Sequence, residues 1–307
     1  MDRMEENAIV VLGPTASGKT RLGVGLAREM GGEIISADSR QVYRGLDIGS
    51  GKDLSEYVID GIAIPYHLID IADLSEEFSV FDYQQRFYEA FTSLQSRGVP
   101  PVVVGGTGLY LEAALKGYRM VAVPENAELR AELGSLSDGQ LADRLRAAKE
   151  RLHNVTDLED RGRMIRAIEI AVCSRDHEPE PAPDIRPLIL GARWERHELR
   201  SRIGLRLLER IKAGMIEEVV QLHEKGAPWE RLERLGLEYR FIAEHLQGRI
   251  REKNDLMQKL YNAICQYAKR QDTWFRRMER NGFTVHWIPR ADFRVARQVV
   301  ELHRSLS

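Results

Sequence analysis

The sequence predicts an α/β fold with a buried parallel sheet, and three observations carry that prediction. Four short apolar runs, Ala8-Ile-Val-Val-Leu12, Glu33-Ile-Ile-Ser-Ala37, Val102-Val-Val104 and Pro187-Leu-Ile-Leu-Gly191, are continuous rather than alternating, the pattern of strands covered on both faces. Stretches with helical spacing lie between them, the order that lays helices over a parallel sheet. The first run is followed by GPTASGKT at residues 13–20, which meets G-x-x-x-x-G-K-[ST] and opens a helix. The predicted class is therefore a P-loop NTPase-like parallel-sheet core with a helical insertion domain and a helical C-terminal part.

Each element has its own warrant. The helix from Lys19 to Met30 places Leu22, Leu26 and Met30 on one face. The second strand stops at Asp38. The third follows the breaker Pro100-Pro101 and runs into GGTGLYLEAAL, a second glycine turn that opens a helix. Between the third and fourth strands there is no strand-like run, only helical patterns and a Pro-rich end, HEPEPAPDIRP. We read residues 119–183 as the helical insertion and residues 1–118 plus 184–307 as the core. After Gly191 the chain reads as almost wholly helical, at about 194–224, 236–247 and 254–281, broken by GAPWE and QGR.

Composition narrows the class of function. Charged residues make up 30% and hydrophobic residues 43% of the 307. No apolar run approaches the roughly 20 residues of a membrane span. The N-terminus passes from charged residues into a strand without the apolar segment of a secretory signal, so no membrane role and a cytoplasmic setting are expected. Cys173 and Cys265 lie far apart without metal-ligand spacing and read as core thiols. The net charge is only −2, yet Arg193 to Lys212 holds seven Lys/Arg against three acids and Tyr261 to Arg280 five against two. These are candidate phosphate-facing surfaces.

The loop of Gly13, Pro14, Thr15, Ala16, Ser17, Gly18, Lys19 and Thr20 offers successive backbone N–H groups and a helix N-terminus to an anion. Lys19 adds a point charge, and the Thr20 hydroxyl can ligate Mg²⁺. By itself such a loop points to an NTPase or a small-molecule kinase. An NTPase needs a strand-ending carboxylate for its metal, and Asp38 is the obvious candidate. Asp38 also opens DSRQVYRGLDIGSGK, a polar loop more elaborate than a metal ligand requires. His67, between apolar residues in PYHLIDI, reads as a core group.

Five blocks, GPTASGKT at 13–20, DSRQVYRGLDIGSGK at 38–52, PYHLIDI at 65–71 with FSVFDY at 78–83, VGGTGLYL at 104–111 and YAKRQDTWF at 267–275, occur in an order that resembles the tRNA dimethylallyltransferase (isopentenyltransferase) family. EDRGRMIRAIEI at 159–170 resembles that family's basic helix. The resemblance implies transfer of a five-carbon allyl group from dimethylallyl diphosphate to the exocyclic N6 of the adenosine beside the anticodon (position 37) of tRNA, with Mg²⁺ and release of pyrophosphate. It implies Asp38 as general base and Arg206 as a further contact to the diphosphate. Thr107 would orient the amine or contact tRNA. Asp38, Ser39, Arg40 and Gln41 would hold a flipped base. Lys269, Arg270 and Gln271 would meet the anticodon stem-loop, and Arg130, Arg163 and Arg166 the stem. A monomer is expected.

Three departures stand out. IGSGKDL replaces the family's usual Thr-Ala-Lys pattern, GLEYR at 236–240 stands where a Gly-Tyr pair is common, and the insertion ends in CSRDHEPEPAP. Alternatives therefore stay open: an adenylate isopentenyltransferase acting on a free nucleotide, a P-loop kinase or NTPase, and a catalytically inactive tRNA-binding paralogue.

Overall fold

A computed structural model describes residues 6–148, 160–173 and 181–305. The continuous apolar runs become β1 (Ala8–Leu12), β2 (Glu33–Ala37), β6 (Pro101–Gly105) and β7 (Pro187–Arg193). Two further strands join them, β5 (Tyr66–His67) and β8 (Val285–Pro289), in a six-stranded sheet of order β5-β2-β6-β1-β7-β8. Every pairing in it is parallel. A separate antiparallel pair, β3 (Val58–Ile59) and β4 (Ile62–Ala63), comes after a short 3₁₀ turn at Leu54–Tyr57.

Both faces of the sheet are covered, which is why its strands are continuously apolar. On one face Val10, Leu12 and Val103 pack with α2 (Val80–Ser96), α3 (Gly108–Lys116) and the Phe275 end of α11 (Lys253–Arg280). On the other, Ile9, Val11 and Val104 pack with α1 (Lys19–Met30) and α12 (Phe293–Ser305). The α2 start is a capping box in which Ser79 and Asp82 satisfy each other's N–H groups. A third cluster joins the 42–46 loop to α7 (Arg196–Lys212), α8 (Met215–Glu224), α9 (Trp229–Arg234), α10 (Leu237–Leu246) and α11.

The chain divides into two compact units, Met1–Gly117 with Pro183–Ser307, and Tyr118–Ala182. The second holds α4 (Ala127–Gly134), α5 (Asp138–Ala148) and α6 (Arg161–Cys173) around its own core of Leu133, Leu141, Leu145, Met164, Ala167 and Ile168.

Two expectations from the sequence change. The stretch after Gly191 is not wholly helical, because β8 adds an edge strand before α12. Only Ile288 of β8 is buried, so this strand lacks the apolar run that marks the central ones. The 194–224 pattern is two helices, separated at Gly214. His67 lies 2.7 Å from Glu33 Oε2, a carboxylate that also binds Arg97. Cys265 packs half-buried against the helical cluster, whereas the Cys173 side chain lies outside the described residues.

Candidate active site

Strands β2, β6 and β1 are neighbours, so the segments leaving their C-terminal ends collect at the carboxyl edge of the sheet. Asp38 lies just beyond β2, Thr107 beyond β6 and the Gly13–Thr20 loop beyond β1. They open on one cleft of about 1280 Å³, whose walls also include Arg206, Arg210, Tyr267 and Gln271.

The glycine loop is held from outside. Trp194 Nε1 donates to Ser17 O at 2.8 Å, Arg202 Nε donates to Ala16 O at 2.8 Å, and the Arg202 guanidinium stacks 4.2 Å from the Trp194 ring centroid. On the opposite side Gln271 accepts the Thr15 N–H at 2.9 Å and donates to Gly106 O at 2.8 Å. Helix α11 thus ties the two glycine turns together. A Cβ on Gly108 would come 2.3 Å from the Trp274 ring, so that glycine admits α11 to the turn. Ala16 sits at φ 61, a left-handed conformation unusual for a residue with a Cβ. Ser17 is buried and its hydroxyl has no hydrogen-bond partner.

Lys19 is the charge of this loop. Burial pushes its ammonium down to about 8; Asp38 pulls the other way, and Arg206 and Arg210 add to the depression. It is a cation poised to be stabilised by an arriving anion.

Across the cleft, Asp38 Oδ1 accepts the Arg40 N–H at 3.0 Å, and Thr107 Oγ1 accepts the Ser39 N–H at 3.0 Å. The Thr107 N–H in turn donates to Ala37 O at 3.1 Å, fixing the β2 and β6 exits against each other. The loop beyond is buttressed from behind. Glu218 accepts the N–H groups of Asp47, Ile48 and Gly49 at 3.1, 2.6 and 3.1 Å, and the Tyr239 hydroxyl at 2.8 Å. Lys52 is buried against Tyr43 O, Asp47 and Asp70.

Gln41 and Gln271, expected at the RNA, are both buried, and both carboxamides are taken up by the chain itself. Lys269 and Arg270 are exposed on α11, with Arg270 5.8 Å from the Tyr267 ring centroid. In the helical unit Arg130 and Arg166 both bind Glu169, whose side chain is fully buried. Burial alone would raise that carboxyl, but hydrogen bonds from Arg130, the Asn126 N–H and Arg166 outweigh it and hold it below the usual range. Arg163 remains exposed on α6.

Arg206, expected from its motif, does reach the loop: NH1 lies 3.4 Å from Thr15 Oγ1, while NH2 pairs with Asp53 at 2.7 Å. Sequence reasoning missed Asp53, Arg210, Glu218 and Tyr239. The available signal for Arg210 was its spacing four residues after Arg206, which puts both on one helix face.

The hydroxyl of Thr20 and the carboxylate of Asp38 both line the cleft, and hard oxygens of this kind suit Mg²⁺, which takes one or two protein ligands beside phosphate and water.

The IPP transferase family model matches residues 41–278, and an isopentenyl transferase model matches residues 6–64. A protein named tRNA dimethylallyltransferase 1 from Geotalea uraniireducens is 59% identical over 93% of this chain and 93% of its own. One named tRNA dimethylallyltransferase 2 from Syntrophotalea carbinolica is 58% identical over 92% and 94%. Among solved structures, a full-length tRNA isopentenylpyrophosphate transferase of Bacillus halodurans matches with TM-score 0.68 and 31% identity, over 98% of this chain and 96% of that one. A eukaryotic dimethylallyltransferase acting on tRNA shares the fold at TM-score 0.76 and 23% identity, over 94% and 75%. With its strand ends, glycine loop and sequence matched along most of its length, the chain belongs to the IPP transferase family.

Proposed function

We propose that this chain transfers a dimethylallyl group from dimethylallyl diphosphate to N6 of the adenosine at position 37 of tRNA, releasing pyrophosphate, and acts as a cytoplasmic monomer. The observation that carries the reading is the meeting of Asp38 with Lys19 in one cleft, a base and an anion site from the two strands that flank β6. The names of the relatives support the reaction, and the geometry supports the division of labour.

An exocyclic adenine amine is a weak nucleophile, so a bond from N6 to the allyl carbon needs two kinds of help. Asp38 accepts the N6 proton as the new C–N bond forms. Thr107, fixed against Ser39, orients the amine. As the C–O bond to the diphosphate breaks, the loop amides of residues 13–20, Lys19 and Arg206 take up the developing negative charge. Mg²⁺, held through Thr20, would supply further charge for the leaving group. Asp38, Ser39 and Arg40 would border the flipped base, while Gln41 and Gln271 shape its surroundings from buried positions. Arg163, Lys269 and Arg270 would meet RNA phosphates. Arg130 and Arg166 can offer RNA only the N–H groups that Glu169, Glu125 and Val123 O leave.

The test is transfer from dimethylallyl diphosphate, with Mg²⁺, to an anticodon stem-loop carrying the target adenosine and, separately, to AMP, read by mass spectrometry of nucleosides. Modified adenosine from the stem-loop is expected. Preference for AMP, or ATP turnover without transfer, would contradict the proposal.

A further inference from the structure

The loop at residues 50–53 and an unassigned arginine form one feature. Arg210 is nine-tenths buried at the foot of the cleft, and its Nε has no hydrogen-bond partner. Its only ion-pair partner among the described residues is Asp53, at 3.4 Å, which pairs more closely with Arg206 at 2.7 Å. The guanidinium, with that of Arg206 beside it, occupies the space a side chain at position 51 would fill: a Cβ there would come 1.7 Å from Arg210 NH2 and 2.6 Å from Arg206 NH2. Gly51, at φ 68, leaves that space open. Asp53, two residues on, is itself held at φ 44, a left-handed conformation uncommon for a residue with a Cβ. Glu218 fixes the start of the same loop by three backbone N–H groups. Glycine, carboxylate and arginine are therefore fitted to one another.

A buried guanidinium with an idle N–H, a shared, half-exposed counter-ion and, nearby, the Glu238 carboxyl that burial pushes toward its neutral form is under-compensated, and burial together with the neighbouring Arg206 disfavours its charge. A doubly charged phosphate oxygen set would relieve it better than one carboxylate. We propose that Arg210 is a second guanidinium of the diphosphate site, forming with Arg206 a two-arginine clamp that a terminal phosphate enters by displacing the Asp53 carboxylate. Arg206 and Arg210 stand one turn apart on α7, on the face that carries Arg206 to Thr15 of the glycine loop. Asp53 is the resting counter-ion of that clamp.

The inference rests on the cleft being a diphosphate site, and the experiment separates the two. Pyrophosphate binding is measured by calorimetry on the full chain with Mg²⁺, beside binding of an anticodon stem-loop RNA. Loss of binding in Lys19→Ala establishes the site, and wild-type affinity in that variant would overturn the underlying reading rather than the clamp. Given that control, Arg210→Met is expected to weaken pyrophosphate by about 10- to 100-fold, with stem-loop affinity unchanged. Gly51→Ala, which crowds both guanidinium groups of the clamp, should reproduce at least that loss. Asp53→Asn should tighten pyrophosphate, because the ligand no longer displaces a charge. If Arg210→Met fails to fold, Gly51→Ala and Asp53→Asn decide the matter. Wild-type pyrophosphate affinity in Arg210→Met or Gly51→Ala, weaker binding in Asp53→Asn, or a loss confined to the RNA would overturn the clamp.

Discussion

Two clusters of arginine and carboxylate, one in each unit, are built on opposite terms. In the helical unit Glu169 is wholly enclosed, Arg130, Arg166 and the Asn126 N–H all bind it, and Glu125 takes a further N–H of Arg130. In the cleft, Lys19, Arg206 and Arg210 face the carboxylates of Asp38 and Asp53 and the carboxyls of Glu56 and Glu238, which burial pushes toward their neutral forms; Arg210 keeps an idle N–H, and Ala16 and Asp53 sit in left-handed conformations. The first cluster is balanced within the chain and holds helices together. The second has cations left over and backbone strain at its rim, the marks of a site completed by an anion from outside.

The largest expected effect breaks the balanced cluster. Glu169→Ala strips Arg130 and Arg166 of their shared buried partner and should destabilise the helical unit by about 3 kcal/mol, measured by denaturant unfolding. The native carboxyl lies below its ordinary value, so its contribution is present above the ordinary carboxylate pKa and is lost as pH falls through the lowered one. The variant should therefore show a flatter acid limb in its stability profile.

A smaller effect sharpens the unbalanced cluster. Lys19 is lowered to about 8, so the free protein loses this cation as pH rises past that value, whereas bound phosphate favours the protonated form. Pyrophosphate affinity should fall by up to about tenfold per pH unit above 8, and the dependence should vanish in Lys19→Ala. A flat profile for the wild type would remove Lys19 from the anion site. The smallest effect concerns the exposed face of α11: Arg270→Ala should reduce the salt dependence of stem-loop binding by about one unit of slope, with a few-fold weaker affinity at moderate salt.

What could be read in advance was local. The apolar runs, the glycine loop and the residues ending β2 and β6 are contiguous patterns, and parallel pairing then brings Asp38, Thr107 and Lys19 together. The edge strand β8 escaped because one face is half exposed and its side chains lack the continuous apolar character. Asp53 and Arg210 escaped for another reason: 157 positions separate them, and each alone reads as a solvated charge. Gln41 and Gln271 show the limit from the other side, since polar residues inside a matching motif can be buried struts as readily as surface contacts.

The central claim is that Asp38 takes a proton from the acceptor while the glycine loop holds the leaving diphosphate. Single-turnover transfer to the anticodon stem-loop by Asp38→Ala, with RNA and pyrophosphate binding measured on the same protein, tests it most directly. Both ligands should still bind while the transfer rate falls by about 10²- to 10⁴-fold. A variant that transfers within about twofold of the wild-type rate would contradict that role for Asp38.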